Sequence, residues 1–177
     1  MGKLKKGFVQ VYTGNGKGKS TAAIGQAIRA AGHGLKVYIL QIMKDFPYGE
    51  LTPLQNMNNL IELKQVCNDD WVFKNLLPPE TEKQKANEAL QEVKSKMLSG
   101  NYDLIILDES IVAIYFKLVK ESLIVDLIKS KPKEVELILT GRYCPQSIID
   151  LADLVTEMKE IKHYYNDGIL SRKGIDS

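Results

Sequence analysis

The sequence predicts an α/β protein with a mainly parallel central sheet. Short apolar segments alternate along the chain with longer segments whose apolar residues recur at helical spacing. Several of the short segments are continuously apolar, which is typical of parallel strands covered on both faces. A glycine-rich turn at residues 14–18 also joins the first predicted strand to the first predicted helix. Strand, helix and strand in this order predict a right-handed crossover unit.

The first third of the chain supplies that unit. We expect a strand over residues 7–13 and a helix over residues 20–31, whose alanines and isoleucines lie at helical spacing. Gly32 and Gly34 come directly after this stretch and favour the end of the helix. Residues 36–43 are rich in Val, Ile and Leu and predict the second strand.

The middle of the chain changes composition twice. Residues 44–60 contain prolines, a glycine and several asparagines, which predicts an irregular loop at the carboxyl end of the second strand. Loops at that edge of an open α/β sheet are where ligands bind. A third strand is expected over residues 61–66, followed by a polar turn. After two prolines, residues 80–98 predict a helix with one apolar stripe.

The last part of the chain continues the alternation of strands and helices. The expected segments are a strand over 102–109, one or two helical pieces over 111–129, a strand over 135–139, a short helix over 147–152 and a strand over 154–158. The tail over 159–177 shows no clear periodicity, and we expect it to fold back over the domain. Its His163 is interpreted as a hydrogen-bonded structural residue rather than a catalyst.

Composition limits the class of protein. A chain of 177 residues with 44% hydrophobic residues suits one globular domain over residues 1–177. The net charge of +2 gives no case for a nucleic-acid surface. No apolar run has the length of a membrane span or the form of a signal peptide, so we expect a cytoplasmic protein. Cys67 and Cys144 are isolated in the sequence and are expected to be reduced thiols.

The glycine-rich turn has the form of a phosphate-binding loop. Glycines let the backbone turn tightly with its N–H groups directed inward, and the helix that follows adds its positive N-terminal end. In this pattern Lys19 reaches the outer phosphates and the hydroxyl of Ser20 binds Mg²⁺. The usual first glycine is replaced by Thr13, so the P-loop is a modified one. The predicted nucleotide-binding residues are Thr13, Gly14, Asn15, Gly16, Lys17, Gly18, Lys19, Ser20 and Thr21.

A second motif completes the predicted site. The strand over residues 102–109 ends in Asp108 and Glu109, which is the Walker B form. Carboxylates at that position bind Mg²⁺ or Mn²⁺ directly or through water, so Ser20, Asp108 and Glu109 are the predicted metal ligands. Arg142 also follows a predicted strand. It either contacts a phosphate or carboxylate of the ligand or forms a surface salt bridge, and the sequence favours neither interpretation.

These two motifs predict binding of a metal–nucleotide complex and leave the reaction open. A P-loop ATPase or small-molecule kinase, a transferase of another group, and a nucleotide-binding module without turnover all fit them.

The chain resembles the P-loop type of ATP:corrinoid adenosyltransferase over nearly its full length. The motifs that carry the resemblance are the loop at residues 13–21, Arg-Ala-Ala-Gly-His-Gly at 29–34, Val-Tyr-Ile-Leu-Gln-Ile-Met-Lys at 37–44, Tyr-Gly-Glu at 48–50, Leu-Asp-Glu at 107–109, Leu-Thr-Gly-Arg at 139–142, residues 151–157, Lys162-His163 and Gly174-Ile175. The chain departs from the family after Asp108-Glu109, where Ser-Ile-Val-Ala follows, and at Tyr-Asn-Asp-Gly over residues 165–168. The resemblance implies a three-layer, RecA-like P-loop NTPase fold.

The resemblance also implies the reaction. Co(I) of a corrinoid attacks the 5′ carbon of ATP, and triphosphate leaves. Because cobalt is the nucleophile, no catalytic triad is needed, and Lys19 and Glu109 are the implied catalytic residues. A homodimer and a flavoprotein that donates electrons to cobalt are implied as well.

An aromatic pair, Trp71 and Phe73, lies where family members carry aromatic residues. There the pair is thought to displace the lower axial ligand of the corrinoid, which leaves a four-coordinate Co(II) that is more easily reduced. The alternative interpretation is that both rings fill the core.

Overall fold

A six-stranded parallel sheet forms the centre of the protein. The computed structural model describes residues 4–45, 48–57 and 59–176. The strands are β1 (Val9–Thr13), β2 (Val37–Ile42), β3 (Ile61–Val66), β4 (Leu104–Asp108), β5 (Glu136–Thr140) and β6 (Leu154–Glu157). Their order across the sheet is β3-β2-β4-β5-β1-β6, and every pair of neighbours is parallel. The predicted α/β class with a mainly parallel sheet is confirmed.

Helices cover both faces of the sheet. They are α1 (Lys19–Gly32), α2 (Leu51–Gln55), α3 (Asp70–Phe73), α4 (Glu80–Leu98), α5 (Ser110–Tyr115), α6 (Glu121–Ser130), α7 (Gln146–Ile149) and a 3₁₀ helix at Tyr164–Asp167. Alanines of α1 pack on one face, in a core with Ile39 and Ile106. The apolar stripe of α4 packs on the other face, together with α5 and α6. The arrangement has three layers, as the resemblance implied.

Burial explains why the central strands carry so little sequence alternation. All six residues of β2 and all five of β4 are buried, because each strand has a paired neighbour on both sides and helices on both faces. Strand β6 lies at the edge of the sheet, and its four residues are exposed. The predicted positions of all six strands agree with the structure to within about two residues.

Two connecting segments differ from the expectation, and a third agrees with it. The loop predicted over residues 44–60 contains the short helix α2, and the polar turn before α4 contains α3. The stretch predicted as one or two helical pieces over 111–129 is two helices. Lys117, with a φ of 61°, stands between them, and a left-handed residue of this kind does not continue a helix.

The strand order brings separate parts of the sequence to one edge. Strand β5 lies between β1 and β4, so the P-loop and the acidic pair are not on adjacent strands. Because all six strands are parallel, their carboxyl ends share one edge of the sheet. The segments that follow β1, β2, β4 and β5 therefore meet there and form the candidate site.

Candidate active site

The P-loop depends on glycine for its backbone conformation and, at Gly14, for a close approach to Met158. Gly14 and Gly18 have φ angles of 98° and 118°, which favour glycine. A Cβ on Gly14 would lie 2.5 Å from the carbonyl oxygen of Met158, so a side chain does not fit. The amide of Gly16 donates to that same carbonyl at 2.7 Å. The residues that follow β6 thus hold the loop from outside.

The start of α1 has the features of an anion-binding site. Gly18 is its N-cap residue and supplies no side-chain cap, and the residues at 18–21 line a cavity. Lys19 is buried, and its Nζ donates to the carbonyl oxygen of Gly16 at 2.6 Å. Burial lowers the pKa of Lys19, and the opposing effect of the Glu109 charge is smaller. The ammonium is therefore placed beside the loop and attracted toward the acidic pair.

Asp108 is the most buried charged group of the site, with 1% of its surface exposed. Thr140 Oγ1 donates to its Oδ1 at 2.6 Å, and Lys44 Nζ donates to its Oδ2 at 2.8 Å. Gln41 Nε2 also donates to Oδ2, at 3.2 Å. Burial raises the pKa of Asp108, but Lys44 and the hydrogen bonds outweigh burial and hold the pKa below its usual range. Asp108 is an ionised acceptor.

Glu109 differs from its neighbour. Its φ of 60° is left-handed, and its amide donates to Thr140 Oγ1 at 2.9 Å. Burial, followed by the charge of Asp108, raises the pKa of Glu109. Lys44, Lys19 and Arg142 act in the opposite direction on that pKa. The side chain lines a large cavity rather than the core.

The main cavity has a volume of about 480 Å³. One wall is the P-loop and the start of α1, and Asn15 to Thr21 all line it. The opposite wall is the tail, which folds back as predicted. It contributes His163, Tyr164, Tyr165, Ile169, Ser171, Gly174, Ile175 and Asp176.

Lys17 links the P-loop to the tail. Its Nζ lies 2.7 Å from Asp176 Oδ1 and 2.9 Å from the carbonyl oxygen of Ile175. Arg172 and Tyr164 hold the same carboxylate. The chain end is therefore tied to the loop that was predicted to bind phosphate.

Thr13 and Gly14 were predicted in the nucleotide site, and neither lines this cavity. Thr13 is buried at the end of β1, and Gly14 packs on Met158. Both shape the start of the loop, and their contact with a nucleotide stays a prediction.

A second cavity of about 340 Å³ adjoins the first. Met43, Val72, Phe73, Val112, Phe116 and Tyr143 supply its apolar and aromatic lining. Lys44, Tyr48, Glu109 and Arg142 line both cavities. Gly141, with a φ of 139°, positions Arg142 there, since a Cβ on Gly141 would lie 2.6 Å from the amide nitrogen of Val112.

The structure separates the two aromatic residues predicted to bind a corrinoid. Phe73 is 77% exposed and lines the second cavity. Trp71 is 4% exposed and lies in the core. Its ring packs edge-on against Phe116 with centroids 5.9 Å apart, and its Nε1 donates to the carbonyl oxygen of Asn68 at 3.0 Å. Trp71 therefore supports the wall of the cavity from behind, in agreement with the core alternative.

Sequence reasoning gave no role to several residues of the site. Lys44 belongs to the motif at residues 37–44 and Thr140 to the motif at 139–142, but neither residue was predicted to have a role in the site. The tail residues were expected only to fold back. A usable signal existed for Lys44 and Thr140, because both occur where a predicted strand ends.

The described part of the chain offers few protein ligands for a metal. In it, no three His, Cys, Asp or Glu side chains cluster to hold an ion. None of its helices is long and apolar enough to cross a membrane.

A parallel sheet whose first strand runs into this loop, with an acidic pair on a non-adjacent strand, defines a P-loop nucleotide-binding protein. The fold is similar to that of a KaiC-like protein from Pyrococcus horikoshii OT3. That comparison has a TM-score of 0.58 and 16% identity, and covers 98% of this chain and 77% of the other.

Sequence comparison gives the family. The profile of ATP:corrinoid adenosyltransferase BtuR/CobO/CobP matches residues 5–177. The corrinoid adenosyltransferase of Escherichia coli K12 is 33% identical over 174 residues, covering 97% of this chain and 86% of that protein. The corrinoid adenosyltransferase CobA of Salmonella typhimurium LT2 is 33% identical over 178 residues, with the same coverage. The chain belongs to the ATP:corrinoid adenosyltransferase family, as its motifs predicted.

Proposed function

We propose that the protein transfers the 5′-deoxyadenosyl group of ATP to the Co(I) of a corrinoid and releases triphosphate. The observation that carries this proposal is the wall shared by the two cavities, formed by Lys44, Tyr48, Glu109 and Arg142. One cavity has the chemistry of a nucleotide site, and the other adds an apolar and aromatic lining to the shared polar groups. A group of the nucleotide that is bound at the wall shared by the two cavities lies next to both of them.

The main cavity suits both the triphosphate end and the nucleoside end of ATP. The N-terminus of α1, Lys19 and Arg142 surround the place where negative charge is expected. The tail opposite offers aromatic and aliphatic surface from Tyr164 and Ile175. Apolar walls with a few directed polar groups are typical of nucleoside sites.

The proposed reaction is a displacement at carbon. A Co–C5′ bond forms as the C5′–O bond breaks, and the electron pair of the broken bond goes to the triphosphate oxygen. Cobalt supplies the nucleophile, so the protein contributes alignment and charge stabilisation. Lys19 and Arg142 stabilise the departing triphosphate, and the tail excludes water from the 5′ carbon.

We propose Mg²⁺, or Mn²⁺ in its place, as the cofactor. The donor set fits a hard cation, since Ser20 Oγ and Asp108 Oδ2 both contact one ammonium, at 3.4 and 2.8 Å. Glu109 is the third proposed oxygen ligand. When bound, the metal neutralises charge on the triphosphate. Phosphate oxygens and water are expected to complete its coordination.

We also propose that two copies associate. Strand β6 is an exposed sheet edge, where Leu154 and Val155 are 45% and 40% exposed. Sedimentation that shows only monomer at micromolar concentration, with full activity, would contradict a homodimer.

A flavoprotein electron donor and a cytoplasmic location are proposed from family membership alone. A pull-down experiment tests the electron donor, and cell fractionation tests the location.

Product analysis tests the reaction. Under anaerobic conditions, ATP and chemically reduced cob(I)alamin should give adenosylcobalamin and triphosphate in equal amounts. A P-loop ATPase or kinase would instead give ADP, and a binding module would give neither product. Formation of ADP in step with turnover would overturn the proposal.

A further inference from the structure

A lysine lies where the proposed metal would bind. Lys44 Nζ is 2.8 Å from Asp108 Oδ2 and 3.4 Å from Ser20 Oγ. These are the hydroxyl of the P-loop and the carboxylate of the Walker B strand. The side chain of Lys44 is only 10% exposed, so the ammonium is within the site rather than at its rim.

The backbone directs Lys44 into this position. Met43, the residue before it, has a φ of 59°, a left-handed conformation that is uncommon for a residue with a side chain. The amide of Met43 donates to the carbonyl oxygen of Val66 at 2.9 Å and fixes the turn. The ring of Tyr48 lies over the ammonium, 4.8 Å from Nζ to the ring centroid. Turn and ring together hold the charge toward Asp108.

Among the described residues, Lys44 is one of three cations that balance three carboxylates in this part of the site. Asp108, Glu50 and Glu109 face it with negative charge, and Lys19 and Arg142 lie farther along the same cavity. Lys44 is therefore the direct ionic partner of Asp108.

We infer that Lys44 acts as an internal cation between Ser20 and Asp108, which a divalent metal must displace. The inference rests on the proposed position of Mg²⁺. An ammonium and a metal ion cannot occupy one position against the same carboxylate oxygen. A free divalent ion gains few protein oxygens in exchange for that displacement, and it would force two cations together.

ATP changes this balance. Its phosphate oxygens add ligands for the metal and accept the displaced ammonium, so metal and nucleotide favour each other's binding. Lys44 is thus a positioning residue that makes metal entry depend on nucleotide. It also keeps Asp108 paired in the absence of metal, when a buried unpaired carboxylate would destabilise the fold.

The test measures Mn²⁺ binding to the full chain without nucleotide. Free Mn²⁺ is followed by electron paramagnetic resonance, with Mg²⁺ as competitor. The wild type should bind Mn²⁺ weakly, and Lys44→Met should bind about tenfold more tightly or better, because its carboxylates lack an ionic partner. Lys44→Arg keeps the charge and should remain weak. Lys85→Met is the matched control, since Lys85 pairs with the buried Glu82 at 2.7 Å, away from both cavities.

Thermal unfolding supplies a second readout. Mn²⁺ without nucleotide should raise the melting temperature of Lys44→Met and leave those of the wild type and Lys85→Met unchanged. Equal Mn²⁺ affinity in the wild type and in folded Lys44→Met would overturn the inference. Tight Mn²⁺ binding by the nucleotide-free wild type would do so even if Lys44→Met failed to fold. Neither result affects the product analysis that tests adenosyl transfer.

Discussion

The hydroxyl of Thr140 donates to Asp108 Oδ1 at 2.6 Å across the sheet. The hydroxyl oxygen of Thr140 also accepts from the amide of Glu109 at 2.9 Å. One side chain at the end of β5 therefore fixes the carboxylate of one acidic residue and the backbone of the next. Because β5 lies between β4 and β1, this hydroxyl lies between the acidic pair and the P-loop.

Replacing Thr140 with valine should destabilise both the fold and the site. Valine has nearly the same shape but leaves Asp108 Oδ1 without that donor, at a cost of about 1–3 kcal/mol in the free energy of unfolding. ATP affinity should fall in the presence of Mg²⁺, because Asp108 and Glu109 lose their common support. Urea unfolding and calorimetric titration measure the two effects. Thr140→Ser keeps the hydroxyl and should stay near wild type in both.

Local sequence patterns predicted most of the fold but less of the site. The strands were found because buried parallel strands are continuously apolar, and α4 was found from its helical stripe. The short helices α2 and α3 were missed, since four or five residues carry no periodicity. Lys19 and Asp108 were predicted because their motifs are local.

Lys44, Thr140 and Asp176 act through partners that are distant in sequence. Asp108 is separated from Lys44 by 64 positions and from Thr140 by 32, and Asp176 is 159 positions from Lys17. Strand order determines these pairings, and local patterns in a single sequence do not contain that order.

Lys19→Ala should remove activity without unfolding the protein. Lys19 is the ammonium of the P-loop nearest the proposed phosphates, and in the described part of the chain its Nζ donates to the carbonyl oxygen of Gly16. Loss of a preorganised charge at a leaving group typically costs about 100-fold or more in kcat. Calorimetry should show weaker ATP binding. Lys83→Ala, on the exposed side of α4, is the control and should behave as wild type. Wild-type turnover by Lys19→Ala would falsify the assignment.

Glu109→Gln should raise the requirement for Mg²⁺. The amide keeps the size of the side chain but removes one anionic oxygen ligand, so we expect half-maximal turnover at roughly tenfold higher Mg²⁺. Its fold should be intact, because burial and Asp108 already disfavour the charged form, as the raised pKa of Glu109 indicates. The measurement is the initial rate at fixed ATP over a series of Mg²⁺ concentrations. An unchanged Mg²⁺ dependence would remove Glu109 from the metal site.

Both cysteines should react slowly with thiol reagents in the folded protein. Burial raises the pKa of Cys67 to about 12 and that of Cys144 to about 11. Since the thiolate is the reactive form, alkylation at about pH 8 should be slow and should become fast in denaturant. Raised thiol pKa values also favour folding below the unfolded pKa, and this contribution is lost as pH rises toward 11 and 12. Mass spectrometry of iodoacetamide-treated protein follows the reaction, and rapid labelling of native Cys67 would contradict its buried position.

The aromatic pair should respond differently at its two positions. Trp71→Ala removes a buried ring that packs on Phe116, so we expect a loss of about 3–5 kcal/mol in the free energy of unfolding, with ATP binding and activity falling together. Phe73→Ala alters a ring that is 77% exposed, and we expect its stability to change by about 0.5 kcal/mol or less. Urea unfolding of both variants measures the difference. A fully stable Trp71→Ala would contradict the core position of that ring.

Phe73 therefore gives the cleaner test of a role toward the corrinoid. It lines the second cavity, beside the residues shared with the nucleotide cavity, and its variant should stay folded and bind ATP as the wild type does. If the ring helps to exclude the lower axial ligand of cobalt, Phe73→Ala should turn over slowly with a Co(II) corrinoid and a mild reductant. Chemically prereduced Co(I) should restore much of the rate, because only the reduction step is impaired. A folded Phe73→Ala that remains equally inactive with Co(I) would show that the ring serves adenosyl transfer itself or corrinoid binding, and unchanged rates with both substrates would remove it from the site.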